Sequence, residues 1–389
     1  GDLDTINLFS GNVNISLPLV GLNGRGQSGG AVAMTIDNQW RLDELSAYQF
    51  KLSNHLADSL VAVGHVRVSS TLASTNEACL EDPIYWYVYA LRIVVVEPDG
   101  TETTLVDPVT KGVQFQQCGY VAYNYGTTFQ STDGSFTTFV SDSNVTGFNG
   151  EPLLGVGATG YLFTGDGGKA RVQDGKFIWR IDRNGNKTEF TYDSSIGFPD
   201  SYPRATQITD SNGRAINIQY DVTESSPYGL CNKITYKGSE GETRVIRVSL
   251  GAQIRSAKSG TDDEFNLAEE LITTDPADSP QVSGTVHDWS KLPKAVWLPD
   301  GRSYEFKYNS NGRIAEIKLP TGGRMEYDFY PSVQAFPNNF AFLYNRVKEK
   351  RIYDENDVLQ NRTTFVFDLG SFGQAGTRTT VSQYDSGNA

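Results

Sequence analysis

Cysteine, histidine and methionine are scarce in this 389-residue chain, which holds 3, 3 and 2 of them. Cys79, Cys118 and Cys231 are too few for a disulfide framework, and no CxxC spacing occurs, so zinc ribbons and thioredoxin-like redox sites find no support. One bridge with one free thiol stays open, and the sequence fixes no pairing. His55, His65 and His287 stand far apart, without the close spacing of zinc ligands or an evident triad. On a β surface such a histidine is ordinarily a hydrogen-bonded side chain rather than a catalyst. Long apolar runs are missing too: the stretch 85–96 is interrupted by Arg92 and falls short of the roughly 20 residues a membrane-spanning helix needs. Positive charge is in deficit. With 33 Lys and Arg against 46 Asp and Glu, the net charge of −13 would repel nucleic acid or an anionic membrane.

The chain is rich in glycine and rings: 39 Gly, 20 Tyr and 20 Phe. That composition predicts an all-β protein full of turns, long enough for two domains or one continuous repeat, with a sizeable core. A repeat is visible within 298–330. Leu298-Pro299-Asp300-Gly301 precedes Tyr304, Phe306 and Tyr308, and Leu319-Pro320-Thr321-Gly322 precedes Met325, Tyr327 and Phe329. Glycine takes positive φ without a Cβ clash, so Asp-Gly and Asn-Gly fit tight hairpin turns. Large apolar residues three, five and seven positions after the glycine share one strand face and point to a core. Ser303, Glu305 and Lys307, then Glu326 and Asp328, occupy the other face, expected to be wet. Between the copies, Asn311-Gly312 makes a turn and Arg313, Ala315, Ile317 and Leu319 read as a return strand.

The same spacing recurs. From Gly185 it gives Thr188, Phe190 and Tyr192; from Gly213 it gives Ile216, Ile218 and Tyr220; and aspartate follows both tyrosines, at Asp193 and Asp221. We divide the chain into an irregular β lead-in, 1–150, and hairpin repeats, 151–389, with an acidic insertion at about 238–294. In the lead-in, Val13, Ile15, Leu17 and Leu19 alternate with polar residues as a half-buried strand, and 85–91 is apolar on both faces. In the last section, 336–339 reads as a loop, 351–354 as a turn, and Phe365 and Phe367 as an alternating strand.

Several motifs that carry chemistry elsewhere do not do so here. Gly24, Gly26 and Gly29 match a dinucleotide-binding spacing, and Gly26 to Gly30 a nucleophile elbow. Both patterns need a following helix, and the run after Gly30 alternates with period two. The acidic cluster of Asp262, Asp263, Glu264, Glu269 and Glu270, beside a helical-looking run at 265–272, lacks the glycine spacing of a calcium loop. The nearest approach to one, Asp142, Asn144, Thr146 and Gly147, would close at Leu153, which cannot ligate. With 46 acidic residues, paired carboxylates discriminate nothing. We assign no catalytic, cofactor-binding or metal residue.

The Gly-x6-Tyr-Asp element resembles the bacterial RHS family of tyrosine-aspartate (YD) repeat proteins. Its carriers are Ile181-Asp182-Arg183-Asn184-Gly185-Asn186 through Tyr192-Asp193, Asp210-Ser211-Asn212-Gly213-Arg214 through Tyr220-Asp221, and the copy at 298–330. The opening Phe9-Ser10-Gly11-Asn12 with Leu17-Pro18-Leu19 is similar to the lead-in that often precedes such repeats. The resemblance implies a β strip winding into a hollow shell, which in toxin complexes encloses an effector and in teneurins serves cell-surface recognition. The family's Asp-Pro-x-Gly self-cleavage core is absent: Asp82-Pro83, Asp107-Pro108 and Asp275-Pro276 all lack the glycine.

The expectation is therefore a non-enzymatic structural shell or scaffold, secreted or at the cell surface, that encapsulates or presents an attached protein partner or toxin. Both termini read as those of a processed chain or a piece of a larger shell. Partners would be a protein, further repeats of the same polypeptide, or another copy joined through open β-edges. Two alternatives are an adhesin or glycan-binding module, with Trp40 and Trp86 as candidate platforms, and a self-assembling extracellular fibre subunit.

Overall fold

A computed structural model describes residues 3–8, 11–22, 31–37, 40–43, 49–52, 60–61, 63–79, 82–98, 101–112, 115–118, 124–146, 156–194, 204–251, 292–308, 313–330, 333–335, 342–344, 346–368 and 378–385. For the strands within 37–61, 70–90, 115–118, 333–335 and 342–344 it describes the backbone alone. Every regular element among these residues is a β-strand, and the dominant unit is one 22-stranded sheet that is not closed into a barrel. It is accompanied by a 4-stranded N-terminal sheet and two small ribbons.

The strip begins with crossed pairings, Phe115–Cys118 beside Asp82–Val96, Thr128–Ser131 beside Glu102–Val106 and Val156–Gly157 beside His65–Cys79, and becomes a regular succession of hairpins from Gly160 onward. It opens with a long hairpin, His65–Cys79 against Asp82–Val96, followed by Glu102–Val106. From Gly160–Phe163 it advances hairpin by hairpin through Lys187–Tyr192, Ala205–Asp210 and Ala215–Glu224 to Gly229–Lys237 and Thr243–Leu250. Thr243–Leu250 pairs directly with Pro293–Trp297, and the strip continues through Ser303–Tyr308, Ile314–Lys318 and Arg324–Phe329 to Val347–Tyr353, Leu359–Asp368 and Arg378–Asp385. The helical-looking run at 265–272 and the acidic cluster beside it lie outside the described residues, as do the glycine passage 24–30 and the loop at 336–339.

Period-two patterning fixes the register, because a one-residue slip would move every ring to the wrong face. Phe190, Ile208, Ile216 and Tyr236 align across four strands, and Phe306, Ile317, Met325 and Ile352 across four more. Phe190 is 7 % exposed, Ile208 and Ile216 are 0 %, and Phe306 and Tyr308 are 1 % and 0 %. The predicted inward rows are the core.

The hairpin turns expected at Asn-Gly and Asp-Gly are found, with glycine at positive φ. At Gly185, Gly213 and Gly301 only the glycine is left-handed, and its N–H bonds to the carbonyl three residues back, at Asp182, Asp210 and Leu298. These are three-residue connections in which the glycine forms a bulge. Asp182 and Asp210 shape them: each carboxylate Oδ1 accepts two backbone N–H groups of its own turn, from residues two and four positions on. Among the described Asp-Gly and Asn-Gly pairs, Asp174-Gly175, φ 48 and 76, is the one left-handed at both positions. The turn expected at 351–354 needs correction: residues 351–353 are strand, and the turn falls at Asp354 to Asp357. There Asp357 occupies the glycine position with φ 64, and Asp354 repeats the carboxylate bracket.

The N-terminal sheet comprises Asp4–Ile6, Val13–Gly21, Ala31–Asp37 and Leu60–Val61. Its Val13, Ile15, Leu17, Val32 and Met34 join the strip's rows in one continuous core. The predicted alternation at Val13, Ile15 and Leu17 holds, and Pro18 sits at a bulge.

Candidate functional site

The feature that recurs is a clamp at the open end of three repeat hairpins. Tyr192 donates its hydroxyl to the Phe177 carbonyl at 2.9 Å, Tyr220 to Ala205 at 2.9 Å, and Tyr308 to Pro293 at 2.7 Å. Every acceptor lies 15 residues upstream of its tyrosine. The turn glycine closes one end of the hairpin, and the phenol ties a carbonyl in the first two residues of the first strand to the far part of the second. Burial raises the hydroxyl pKa of Tyr192 and Tyr308, so each stays a donor. In the copy after Gly322 the ring is Phe329, which has no hydroxyl. The neighbouring Tyr330 instead bonds forward to the Phe365 carbonyl at 2.8 Å.

The aspartate after the tyrosine has a separate task. Asp221 takes φ 54 in the bulge where its strand steps out of register with Gly229–Lys237. Its N–H is received by Asn232 Oδ1, and its carboxylate pairs with Arg204, whose guanidinium lies 5.0 Å from the Tyr220 ring. Aspartate tolerates the left-handed region better than most residues.

The N-terminal sheet meets the far end of the strip through polar contacts that span most of the sequence. Lys350 Nζ lies 2.7 Å from the buried Asp4 carboxylate, Arg313 donates to Asn12 Oδ1 at 3.1 Å, and Val347 N–H bonds to the Gly11 carbonyl. Gly11, at φ 72, sits so close that an added Cβ would stand 2.5 Å from Arg346 Cβ. The core-facing side of these strands is thus covered by the chain's own N-terminus.

The opposite side differs from the wet surface expected of it. Glu326 and Asp328 are only 4 % and 5 % exposed. Arg351 bonds to Glu326 at 3.1 Å, Asp328 at 2.5 Å and Glu349 at 2.8 Å, and Arg324 and Arg362 extend the cluster. Long guanidinium side chains lie over the carboxylates and exclude water from them. Cross-strand Arg–Tyr pairs cover more of this face: Arg171 stands opposite Tyr161, Arg324 opposite Tyr353 and Arg362 opposite Tyr384, with ring distances of 4.8, 4.0 and 5.9 Å. Tyr161 and Trp179 flank Arg171 in one row, their rings 6.3 Å apart, and Phe163 is 39 % exposed beside Lys169.

No predicted motif gains a catalytic setting. Asp142, the first residue of the calcium-like spacing, is engaged by Arg171 through two bonds of 2.8 and 2.6 Å, and this partner holds its carboxyl below the usual range. Asp107 of Asp107-Pro108 is buried and accepts the N–H groups of Val109 and Thr110 in a local turn. His65 is buried, while His55, His287 and the side chains of Trp40 and Trp86 lie outside the described residues. Cys231 is a buried free thiol. Among the described residues, no group of three or more His, Cys, Asp or Glu could hold a metal ion, and no helix is long and apolar enough to cross a membrane. The phenol clamp escaped the sequence reading, although the constant interval from ring to acceptor was its available signal.

No family model matches the chain, and no curated protein matches it. Among solved structures it is similar to a porin-like protein from Bacteroides uniformis, with TM-score 0.23 and 11 % identity over 75 % of this chain and 96 % of that one. It is also similar to a TcdB2-TccC3-TEV structure, with TM-score 0.20 and 9 % identity over 92 % of this chain. A third is the Photorhabdus luminescens Tc holotoxin pore, with TM-score 0.18 and 9 % identity over 97 %. The chain spans 21 % and 24 % of the length of those two toxin chains. At these scores the likenesses assign no family.

Proposed function

We propose that this chain is a non-enzymatic structural scaffold of the YD-repeat kind, exported or held at the cell surface, which carries or presents an attached protein partner. The observation behind this reading is the fastening of three hairpins by a turn glycine at one end and a tyrosine hydroxyl at the other. That device spends the most distinctive residues of the repeat on holding a wall together, and the buried acids are likewise matched to arginines. Protease treatment of intact producing cells tests it. Cleavage of this chain while cytosolic markers stay whole is the expected result; a chain shielded with those markers overturns the reading.

A second reading is a glycan-binding face, favoured by the row of Tyr161, Trp179 and the exposed Phe163 on the side away from the core. Saccharide rings stack on such aromatics. A glycan array in which the chain binds and Phe163→Ala or Trp179→Ala does not would establish it. The cations already seated over these rings favour the scaffold.

A further inference from the structure

We propose that Asn144 carries an N-linked saccharide. The sequence holds four Asn-x-Ser/Thr acceptor patterns: Asn14-Ile15-Ser16, Asn144-Val145-Thr146, Asn186-Lys187-Thr188 and Asn361-Arg362-Thr363. The pattern alone does not choose among them. The structure does, because an acceptor must present its Nδ2 to a bulky donor and the folded chain must leave room for the sugar.

Three of the four fail that requirement. Asn14 lies within a strand, paired with Thr5 on one side and Asp37 on the other, and its side-chain oxygen is buried. Asn186 donates its Nδ2, the atom that would bear the sugar, to the Asp182 carboxylate at 2.8 Å, and Thr188 is 2 % exposed. Asn361 sits in the sheet between Ile352 and Asp385. Four residues before the buried Phe365, it is on the core side of its strand, and its Oδ1 accepts the Thr363 hydroxyl.

Asn144 differs on each count. It is exposed, as is Thr146, and it lies outside the strands, between Thr138–Ser141 and Val156–Gly157. The chain on either side of it is held: Asp142 by two bonds from Arg171, and Val145 by its N–H to the Gly126 carbonyl and its carbonyl to the Tyr125 N–H. Neither fixture uses the Asn144 amide, so a sugar on Nδ2 displaces nothing that holds the turn. The spacing of Asp142, Asn144 and Thr146 that falls short of a calcium loop thereby gains a different use. In the transfer, Nδ2 attacks the anomeric carbon of a saccharide carried on a lipid pyrophosphate. The C–N bond forms, the C–O bond to the pyrophosphate breaks, the lipid pyrophosphate leaves, and the amide gives up one proton. The inference rests on the proposed export of the chain, since the transfer takes place on the far side of the membrane from the cytosol.

Mass spectrometry of peptides from the chain purified out of its producing cells tests it. Added saccharide mass is expected on the peptide holding Asn144, with Asn14, Asn186 and Asn361 bare. Asn144→Gln and Thr146→Ala should abolish the added mass and Thr146→Ser should keep it, all with the parent's circular dichroism spectrum. A bare Asn144 on a chain that protease reaches at the cell surface, a saccharide on one of the other three in its place, or added mass that survives Thr146→Ala would each overturn the proposal while leaving export intact. A chain shielded with the cytosolic markers would overturn export, and this inference with it.

Discussion

The hydroxyl of Tyr308 donates to the carbonyl of Pro293 at 2.7 Å, inside a fully buried environment. Removing it leaves a buried acceptor without that donor, so Tyr308→Phe should destabilise the fold by about 1–2 kcal/mol. Tyr192→Phe and Tyr220→Phe, at half-buried rings, should cost less but carry the same sign. Urea denaturation of the three variants measures the series, and three midpoints equal to the parent's would show that the clamp contributes nothing.

The turn positions separate backbone cost from packing. A Cβ at Gly185 or Gly213 would meet nothing within 4 Å, so alanine there carries only the penalty of a left-handed backbone, about 1 kcal/mol. Asp357 gives the reverse test because it already occupies a glycine position at φ 64. Asp357→Gly should stabilise by roughly 0.5 kcal/mol once its exposed pair with Arg324 is discounted. Thermal unfolding that moves all three variants in one direction would contradict this account.

Arg351 holds three largely buried carboxylates, Glu326, Asp328 and Glu349. Replacing it with methionine keeps most of the volume and strands the acids, at a cost on the order of 3 kcal/mol. Adding Glu326→Gln should recover part of that loss, since one stranded charge is then gone. Guanidinium denaturation of the single and double variants reads both effects; a double variant weaker than the single would refute the charge argument.

Acid should loosen the turns. Backbone N–H donation from Val358 lowers the Asp354 pKa, and a hydrogen bond from Thr164 does the same for Asp166. A carboxyl held below its unfolded value stabilises the fold above that value and gives up the contribution as pH falls through the folded one. Stability should therefore be level above the ordinary aspartate value of 3.8 and decline beneath it. Asp354→Asn should flatten the part of the decline that this turn supplies, as followed by denaturation at stepped pH.

Much of this was legible because it is local. The interval from Gly213 to Ile216, Ile218 and Tyr220 predicts a strand and its buried face, and both are found. The same logic failed at Glu326 and Asp328, where polarity predicts water and the structure supplies arginines from Val347–Tyr353 and Leu359–Asp368. It found the Asn-Gly turns but not what completes their hydrogen bonding, the aspartate two residues before the asparagine, at Asp182 and Asp210.

By itself, then, the sequence determined that this chain is a succession of glycine-turned ribbons with rings on one face, because alternation and positive φ act within a few residues. Only the tertiary structure decided that Asp4 meets Lys350, 346 positions away, and that each repeat tyrosine reaches back to one particular carbonyl. Such contacts depend on which strands come to lie side by side, and the register of neighbours, not the pattern within any one strand, sets that.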